Sequence, residues 1–192
     1  MDRLSGRTVI ISGAGNGIGK ATALLFAKEG AAVICADIDF KAAELVTKQI
    51  LVEGGKAEAF FCDVTDGKVV KKLVEETNRR FGAVTTVVAN AAVYSPSVSF
   101  AEISEKDWRE ALDVNLTGVF LLCKYAVPYI RESGGGTVIL TASQMGRVVN
   151  VNSAAYCATK GALIQLAKAI AVDHAADKIR ANTLSPGGTA TG

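Results

Sequence analysis

The sequence predicts an α/β fold: one parallel sheet, doubly wound, with helices covering both faces in a three-layer α-β-α arrangement. Three observations predict it. Short apolar runs alternate with amphipathic stretches along all 192 residues. Those runs are continuous rather than alternating, as expected of strands buried on both faces. Glycine is abundant, 19 residues against 3 prolines, and much of it stands where strands give way to helices. Strands separated by helices pair in parallel, because a helical crossover returns the chain to the same end of the sheet.

Each element follows in order. Thr8-Val9-Ile10-Ile11 reads as the first strand, and a glycine-rich turn leads into a helix from Gly17 to Glu29. Ile18, Ala21, Leu25 and Phe26 recur there at helical spacing, and Gly30 serves as the cap. Ala32 to Ala36 is the second strand, Phe40 to Val52 the second helix and Ala57 to Cys62 the third strand. The third helix, Asp66 to Phe81, carries an apolar stripe of Val69, Val70, Leu73, Val74 and Phe81 opposite charged residues. Thr85 to Ala89 is the fourth strand. A long helix then runs from Glu105 to Glu132, until Gly134-Gly135-Gly136 stops it. Thr137 to Thr141, Ser153 to Asp177 and Ile179 to Leu184 read as strand, helix and strand. No linker or repeat divides the chain, so residues 1–192 are expected to form one domain.

Composition narrows the function. Hydrophobic residues make up 49% and charged ones 21%, which is globular and argues against disorder. The net charge is +2, from 21 basic and 19 acidic residues, so neither a nucleic acid nor an anionic membrane is an expected partner. The start, Met1-Asp2-Arg3-Leu4-Ser5-Gly6, has no apolar signal core, and Lys124 interrupts the most apolar helix, so no membrane span is expected. Cys35, Cys62, Cys123 and Cys157 are far apart, with no Cys-x-x-Cys pair. That usage fits a reduced, cytoplasmic setting without a metal.

Two constellations carry chemistry. The first strand runs into Ser12-Gly13-Ala14-Gly15-Asn16-Gly17-Ile18-Gly19. Glycines let the backbone turn sharply and approach a ligand, and the following helix presents unpaired N–H groups that suit a pyrophosphate. Asp37 ends the second strand, 18 residues after Gly19, where a carboxylate accepts hydrogen bonds from adenosine ribose hydroxyls. It would repel a 2′-phosphate, and no Arg or Lys occupies residues 36–40, which favours NAD over NADP. The second constellation is Tyr156-Cys157-Ala158-Thr159-Lys160, which puts Tyr156 and Lys160 on one helix face. An ammonium beside a phenol is expected to lower the tyrosine pKa toward working pH, tuning it for proton transfer at an alcohol oxygen.

Ser12-Gly13-x-x-x-Gly17-x-Gly19, Asp63-Val64, Asn90-Ala91-Ala92, Asn115, Ser143, Tyr156-x-x-x-Lys160 and Pro186-Gly187 occur in order. Together they resemble the short-chain dehydrogenase/reductase family, its shorter subgroup, from Gly6 to Gly192. The resemblance implies a Rossmann fold with strand order 3-2-1-4-5-6. Relatives usually continue for some tens of residues into a substrate lid and a seventh strand, both expected to be missing here. The resemblance further implies Tyr156 as catalytic acid/base and Lys160 as the residue that lowers its pKa and holds the nicotinamide ribose. Ser143 matches the serine that binds the substrate oxygen, and Asn115 the asparagine whose backbone holds a proton-relaying water. Ser12, Gly13, Asn16, Gly17, Ile18 and Gly19 match the pyrophosphate turn, and Asp37 with Ile38 the adenosine side. Asp63 and Val64 match the adenine contacts. Asn90, Ala91 and Ala92 match the cofactor-lining motif, and Pro186, Gly187 and Thr191 the segment at the nicotinamide and pyrophosphate. This sequence has Ser12 where threonine is usual, Ala89-Asn90-Ala91-Ala92 where Asn-Asn-Ala-Gly is usual, and Thr159 where serine is commoner. None of these changes removes a catalytic atom.

The implied activity is NAD-dependent interconversion of a secondary alcohol and a ketone. The alternatives are an NADPH-dependent ketone reductase of 3-oxoacyl type, or an NAD-binding scaffold without turnover. Tyr94, Met145, Val148, Val149 and Val151, in loops Val93–Phe100 and Gln144–Asn152, suggest an apolar substrate pocket suited to a hydrophobic or alicyclic alcohol. Helix 105–132 is apolar nearly all round after Val114, and helix 153–177 is rich in small residues. Both are expected to meet a second copy in a homodimer or homotetramer. His174 reads as capping or solvated.

Overall fold

In the computed structural model, which describes residues 2–189, six parallel strands form one sheet in the order β3-β2-β1-β4-β5-β6. The strands are β1 (Thr8–Ser12), β2 (Ala32–Asp37), β3 (Lys56–Phe61), β4 (Thr86–Ala89), β5 (Gly136–Thr141) and β6 (Ile179–Leu184). The helices are α1 (Gly17–Lys28), α2 (Phe40–Val52), α3 (Gly67–Phe81), α4 (Glu105–Leu112), α5 (Gly118–Glu132) and α6 (Ala154–Asp173). The predicted doubly wound order is the one observed.

The pleat explains the continuous apolar runs. Val9, Ile11, Val33 and Cys35 point to one face, where Ala23, Ala27, Val46 and Ile50 of α1 and α2 pack on them. Ile10, Ile34, Val87, Val138 and Leu140 point to the other, under Leu73, Leu122, Ile130 and Leu163 of α3, α5 and α6. Successive side chains serve opposite layers, so neither parity of position can be polar.

Most boundaries shift by a single residue, and two differ more, each for a local reason. The helix expected to run unbroken over 105–132 contains a π turn at Asp113–Thr117 between α4 and α5. That wider turn inserts an extra residue and rotates Asn115 inward, where it is fully buried. The helix expected to reach Asp177 ends at Asp173. His174 caps it, His174 Nδ1 lies 2.8 Å from Asp177 Oδ2, and Lys178 takes φ +58° to turn the chain into β6. Cys62 falls just past β3 yet is buried, as are the other three cysteines, all of them free.

The apolar character of α5 has an answer within the fold. The sheet covers one side, α3 packs on another, and Phe120, Lys124, Pro128 and Arg131 remain exposed. By length and composition alone the continuous stretch Glu105–Glu132 could cross a membrane, contrary to expectation. Close to half of its most apolar window is buried against the rest of the fold, as in the core helix of a layered α/β protein.

Leu140 is completely buried in the middle of β5. Leu140→Ala should cost about 2–5 kcal/mol, read as a lower urea midpoint at unchanged slope. Val52→Ala, at a position 80% exposed, should stay within about 0.5 kcal/mol.

Candidate active site

The sheet order reverses between β1 and β4, and there the crossover helices depart to opposite faces. A crevice must open at the carboxyl ends of these two strands. It is a cleft of about 560 Å³, within the range of small-molecule sites.

Its floor is the glycine turn. Gly13 takes φ +67°, and a Cβ there would lie 2.9 Å from Ala91 Cα. A Cβ on Gly19 would lie 1.9 Å from the Gly13 carbonyl oxygen, so only glycine lets α1 start this close to β1. The Ser12 hydroxyl, buried at the end of β1, accepts hydrogen bonds from Asn90 N–H at 3.0 Å and Ala91 N–H at 3.2 Å. Asn90 Nδ2 donates to the Gly13 carbonyl at 3.1 Å. Serine in place of threonine keeps this stitch, and the Ala89-Asn90-Ala91-Ala92 segment, without the usual first amide and last glycine, still ties the turn to β4.

The residues present fit a dinucleotide. Asn16, the N-cap of α1, makes no side-chain cap, so the first-turn N–H groups stay free at the cleft where a pyrophosphate would accept them. Asp37 Oδ2 accepts from Gly15 N–H at 2.8 Å and Oδ1 from Asp39 N–H at 2.9 Å, which fixes the carboxylate at the cleft with lone pairs to spare. Ile38, Asp63, Val64, Asn90, Ala91, Ala92, Pro186 and Gly187 line the same cleft. Thr191, also expected at the cofactor, lies outside the described residues.

At the other end of the cleft stand Ser143, Tyr156 and Lys160. Ser143 follows β5 and its hydroxyl accepts from Met145 N–H at 3.1 Å. Tyr156 and Lys160 sit on one face of α6, both buried, with Lys160 only 2% exposed. Lys160 Nζ donates to the Thr141 carbonyl at 2.7 Å and lies 5.5 Å from the Tyr156 ring centroid. Burial drives its pKa down from 10.5 to about 8.

The expected lowering of the tyrosine pKa is overturned in this arrangement. Tyr156 is pushed up to about 12, first by burial and then by the Tyr94 phenol beside it, while the Ser143 hydroxyl pulls the other way. The lysine spends its hydrogen bond on Thr141 and not on the phenol oxygen.

Asn115 does not line the cleft. Its Oδ1 accepts from Val93 N–H at 2.8 Å, its Nδ2 donates to the Val93 carbonyl at 2.9 Å, and Thr159 Oγ1 lies 3.4 Å from that nitrogen. It is a clamp on the chain leaving β4. Sequence reasoning about cofactor and catalysis passed over Thr141 and Cys62, which also line the cleft. Thr141 could have been suspected from ending the strand that delivers Ser143. Cys62 carried no signal, and burial lifts its thiol to about 12, which makes it a poor nucleophile.

A doubly wound parallel sheet with an uncapped helix start over a glycine turn, and a Tyr–Lys pair at the switch point, defines the class: a Rossmann-type oxidoreductase. Residues 7–192 match the short chain dehydrogenase family, and the chain belongs to that family. It is 38% identical over 186 residues to a cyclohexanol dehydrogenase of Acinetobacter sp., covering 97% of this chain and 74% of that protein. It is 38% identical over 192 residues to a 2,5-dichloro-2,5-cyclohexadiene-1,4-diol dehydrogenase of Sphingobium indicum, covering 100% and 76%. Among solved structures, a 7α-hydroxysteroid dehydrogenase complexed with NADH and 7-oxo glycochenodeoxycholic acid superposes with a TM-score of 0.92 at 34% identity, covering 96% of this chain and 72% of that one. The chain thus resembles oxidoreductases that act on alcohols and ketones.

Burial of Lys160 has a measurable consequence. Its folded pKa lies below its unfolded value, so between about pH 8 and 10.5 the unfolded chain holds the proton that the folded chain has released. Stability from this group therefore rises with pH across that window. Wild type should gain up to about 3 kcal/mol relative to Lys160→Met over the window, measured by urea unfolding at each pH. Parallel curves for the two proteins would dismiss the buried charge as the cause.

Proposed function

We propose that the protein is an NAD-dependent oxidoreductase that interconverts a secondary alcohol and a ketone. One observation carries the reading: Tyr156, Lys160 and Ser143 meet at the end of the same cleft whose floor is the glycine turn and whose far wall holds Asp37. NAD, when bound, supplies the hydride acceptor. Gly13 to Gly19 and the α1 N-terminus bind its pyrophosphate, and Asp37 and Ile38 flank the adenosine ribose. Asp63 and Val64 meet the adenine, while Asn90 to Ala92, Pro186 and Gly187 border the nicotinamide half. Ser143 orients the substrate oxygen, and Tyr156 moves the proton at that oxygen. Lys160, held by Thr141, places a positive charge under the phenol ring and lowers the cost of a phenolate as it forms. Asn115, through Val93, positions the wall opposite Tyr156.

The raised pKa of Tyr156 sets a direction for pH dependence. Below about 12 the phenol is mostly protonated, the form that donates to a ketone oxygen. Alcohol oxidation needs the phenolate and gains as pH rises. The relatives that act on cyclohexanol and cyclohexadiene diols support an alicyclic alcohol as substrate. Four buried, free cysteines fit a reducing compartment such as the cytoplasm. The outer faces of α5 and α6, with Phe120 and Val172 exposed, are the surfaces on which a homodimer or homotetramer would form.

Tyr156→Phe should lower turnover of cyclohexanol with NAD by at least about 100-fold, since it deletes the proton-transfer group. NADH binding, followed by fluorescence titration, should persist; undiminished turnover would remove Tyr156 from the mechanism. Asp37→Asn keeps an oxygen to accept the Gly15 N–H and deletes the charge. It should tighten NADP binding by roughly tenfold while leaving NAD within about threefold, because like-charge repulsion is what excludes the 2′-phosphate. Equal NAD and NADP affinities in the wild type would overturn the cofactor assignment.

A further inference from the structure

The proposed acid/base is covered. Tyr156 is only 8% exposed, and the ring of Tyr94 lies stacked on it, with centroids 4.8 Å apart and planes 18° from parallel. Carbon atoms in contact sit about 3.5–4.0 Å apart, so a ligand between two rings would need their centroids roughly 7 Å or more apart. Nothing fits between this pair. The Tyr94 phenol also stands close enough to the Tyr156 hydroxyl to help hold its proton. An acid/base must come within about 2.6–3.2 Å of the oxygen it serves. Tyr94 and a substrate oxygen therefore compete for the same hydroxyl. The two rings are held very differently. Tyr156 is fixed on α6, whereas Tyr94 lies in segment 90–99, neither helix nor strand, and is 82% exposed. Asn115 clamps both backbone groups of Val93, the residue before it, at 2.8 and 2.9 Å. That clamp holds the chain where it leaves β4 and leaves the movement to the Tyr94 side chain, by rotation between its staggered positions.

We propose that Tyr94 is a positioning residue for Tyr156: its ring is a hinged cover that shields the acid/base until a substrate oxygen displaces it and the side chain turns out into solvent. The assignment rests on Tyr156 as the acid/base and adds a step before proton transfer, the loss of the stack. That step is readily reversed, because one aromatic pair shifts an equilibrium by roughly two- to tenfold. It also prepares the chemistry. With the Tyr94 phenol gone from its side, Tyr156 gives up its proton more easily, as alcohol oxidation requires. Tyr94→Ala removes the cover, and Tyr94→Phe keeps the stack while deleting the hydroxyl.

Hydroxyl-radical footprinting of the full chain, followed by peptide mass spectrometry, reads the accessibility of each tyrosine ring whatever its ionisation. Tyr94→Ala should raise the oxidation rate of Tyr156 by about fivefold, as one aromatic face is laid bare. Tyr125 and Tyr129, which pack against the core from α5, should keep their wild-type rates. Tyr94→Phe should leave Tyr156 protected. In the oxidation of cyclohexanol with NAD, Tyr94→Ala should lower KM by about three- to tenfold, the stack no longer having to be broken, with a smaller change in kcat. Tyr94→Phe should keep the wild-type KM. Unchanged oxidation of Tyr156 in Tyr94→Ala, a parallel rise at Tyr125 and Tyr129, or a raised KM would overturn the proposal. The parent reading fails separately: Tyr156 laid bare by Tyr94→Ala in a protein that oxidises no secondary alcohol with NAD would sink the activity and spare the cover. Turnover with Tyr156 equally protected in every variant would do the reverse.

Discussion

The site depends on how β1 is joined to β4. These neighbours in the sheet are far apart in sequence, and their crossover helices leave for opposite faces. The ladder between them ends at Ser12 and Ala89, and the chain beyond needs another tie. The Ser12 hydroxyl supplies it by accepting the N–H groups of Asn90 and Ala91, and Asn90 returns a hydrogen bond to the Gly13 carbonyl. The crevice left beyond that stitch is the cleft. With Gly19 packed on the Gly13 carbonyl, the start of α1 is aimed into it.

A second set of constraints is built on buried polar groups. Lys160 and Asn115 are almost wholly removed from water, and each is satisfied by main-chain carbonyls or amides instead of by another charge. Buried polar groups are tolerated only when so paired. Lys160 reaches the end of β5, and Asn115, turned inward by the π turn, reaches the exit of β4. Together they fasten α6 and the α4–α5 helix to the strand ends that border the cleft. The cost is visible in the pKa values: the same burial that positions Lys160 weakens its charge, and the desolvation around Tyr156 holds its proton. At neutral pH Tyr156 therefore keeps its proton.

Much of the fold was legible in the sequence because burial on both sheet faces leaves no alternative to continuous apolar strands, and glycines mark the turns. The boundaries that slipped were those decided by tertiary demands. The π turn at Asp113–Thr117 has no propensity signal, because it exists to turn Asn115 inward toward Val93. The early end of α6 follows from the need to re-enter the sheet at Ile179. Among the candidate site residues, most of the turn, Asp37, Asp63, Ser143, Tyr156 and Lys160 could be placed at one cleft from motif order alone, since a parallel doubly wound sheet sends every strand's carboxyl end to one edge.

By itself, then, the sequence determined the layered architecture and most of the side chains gathered at the cleft. The architecture follows from pattern and spacing, whereas the strand order came only with the family resemblance. Only the tertiary structure decided what each side chain does with its hydrogen bonds. It turned Asn115 into a clamp, gave the Lys160 ammonium to Thr141, and laid Tyr94 against Tyr156, raising a pKa that spacing alone suggested would fall. The physical reason is that desolvation and hydrogen-bond direction depend on which groups lie within a few ångströms in three dimensions, and those neighbours come from β4, β5 and the segment after β4, far from Tyr156 along the chain.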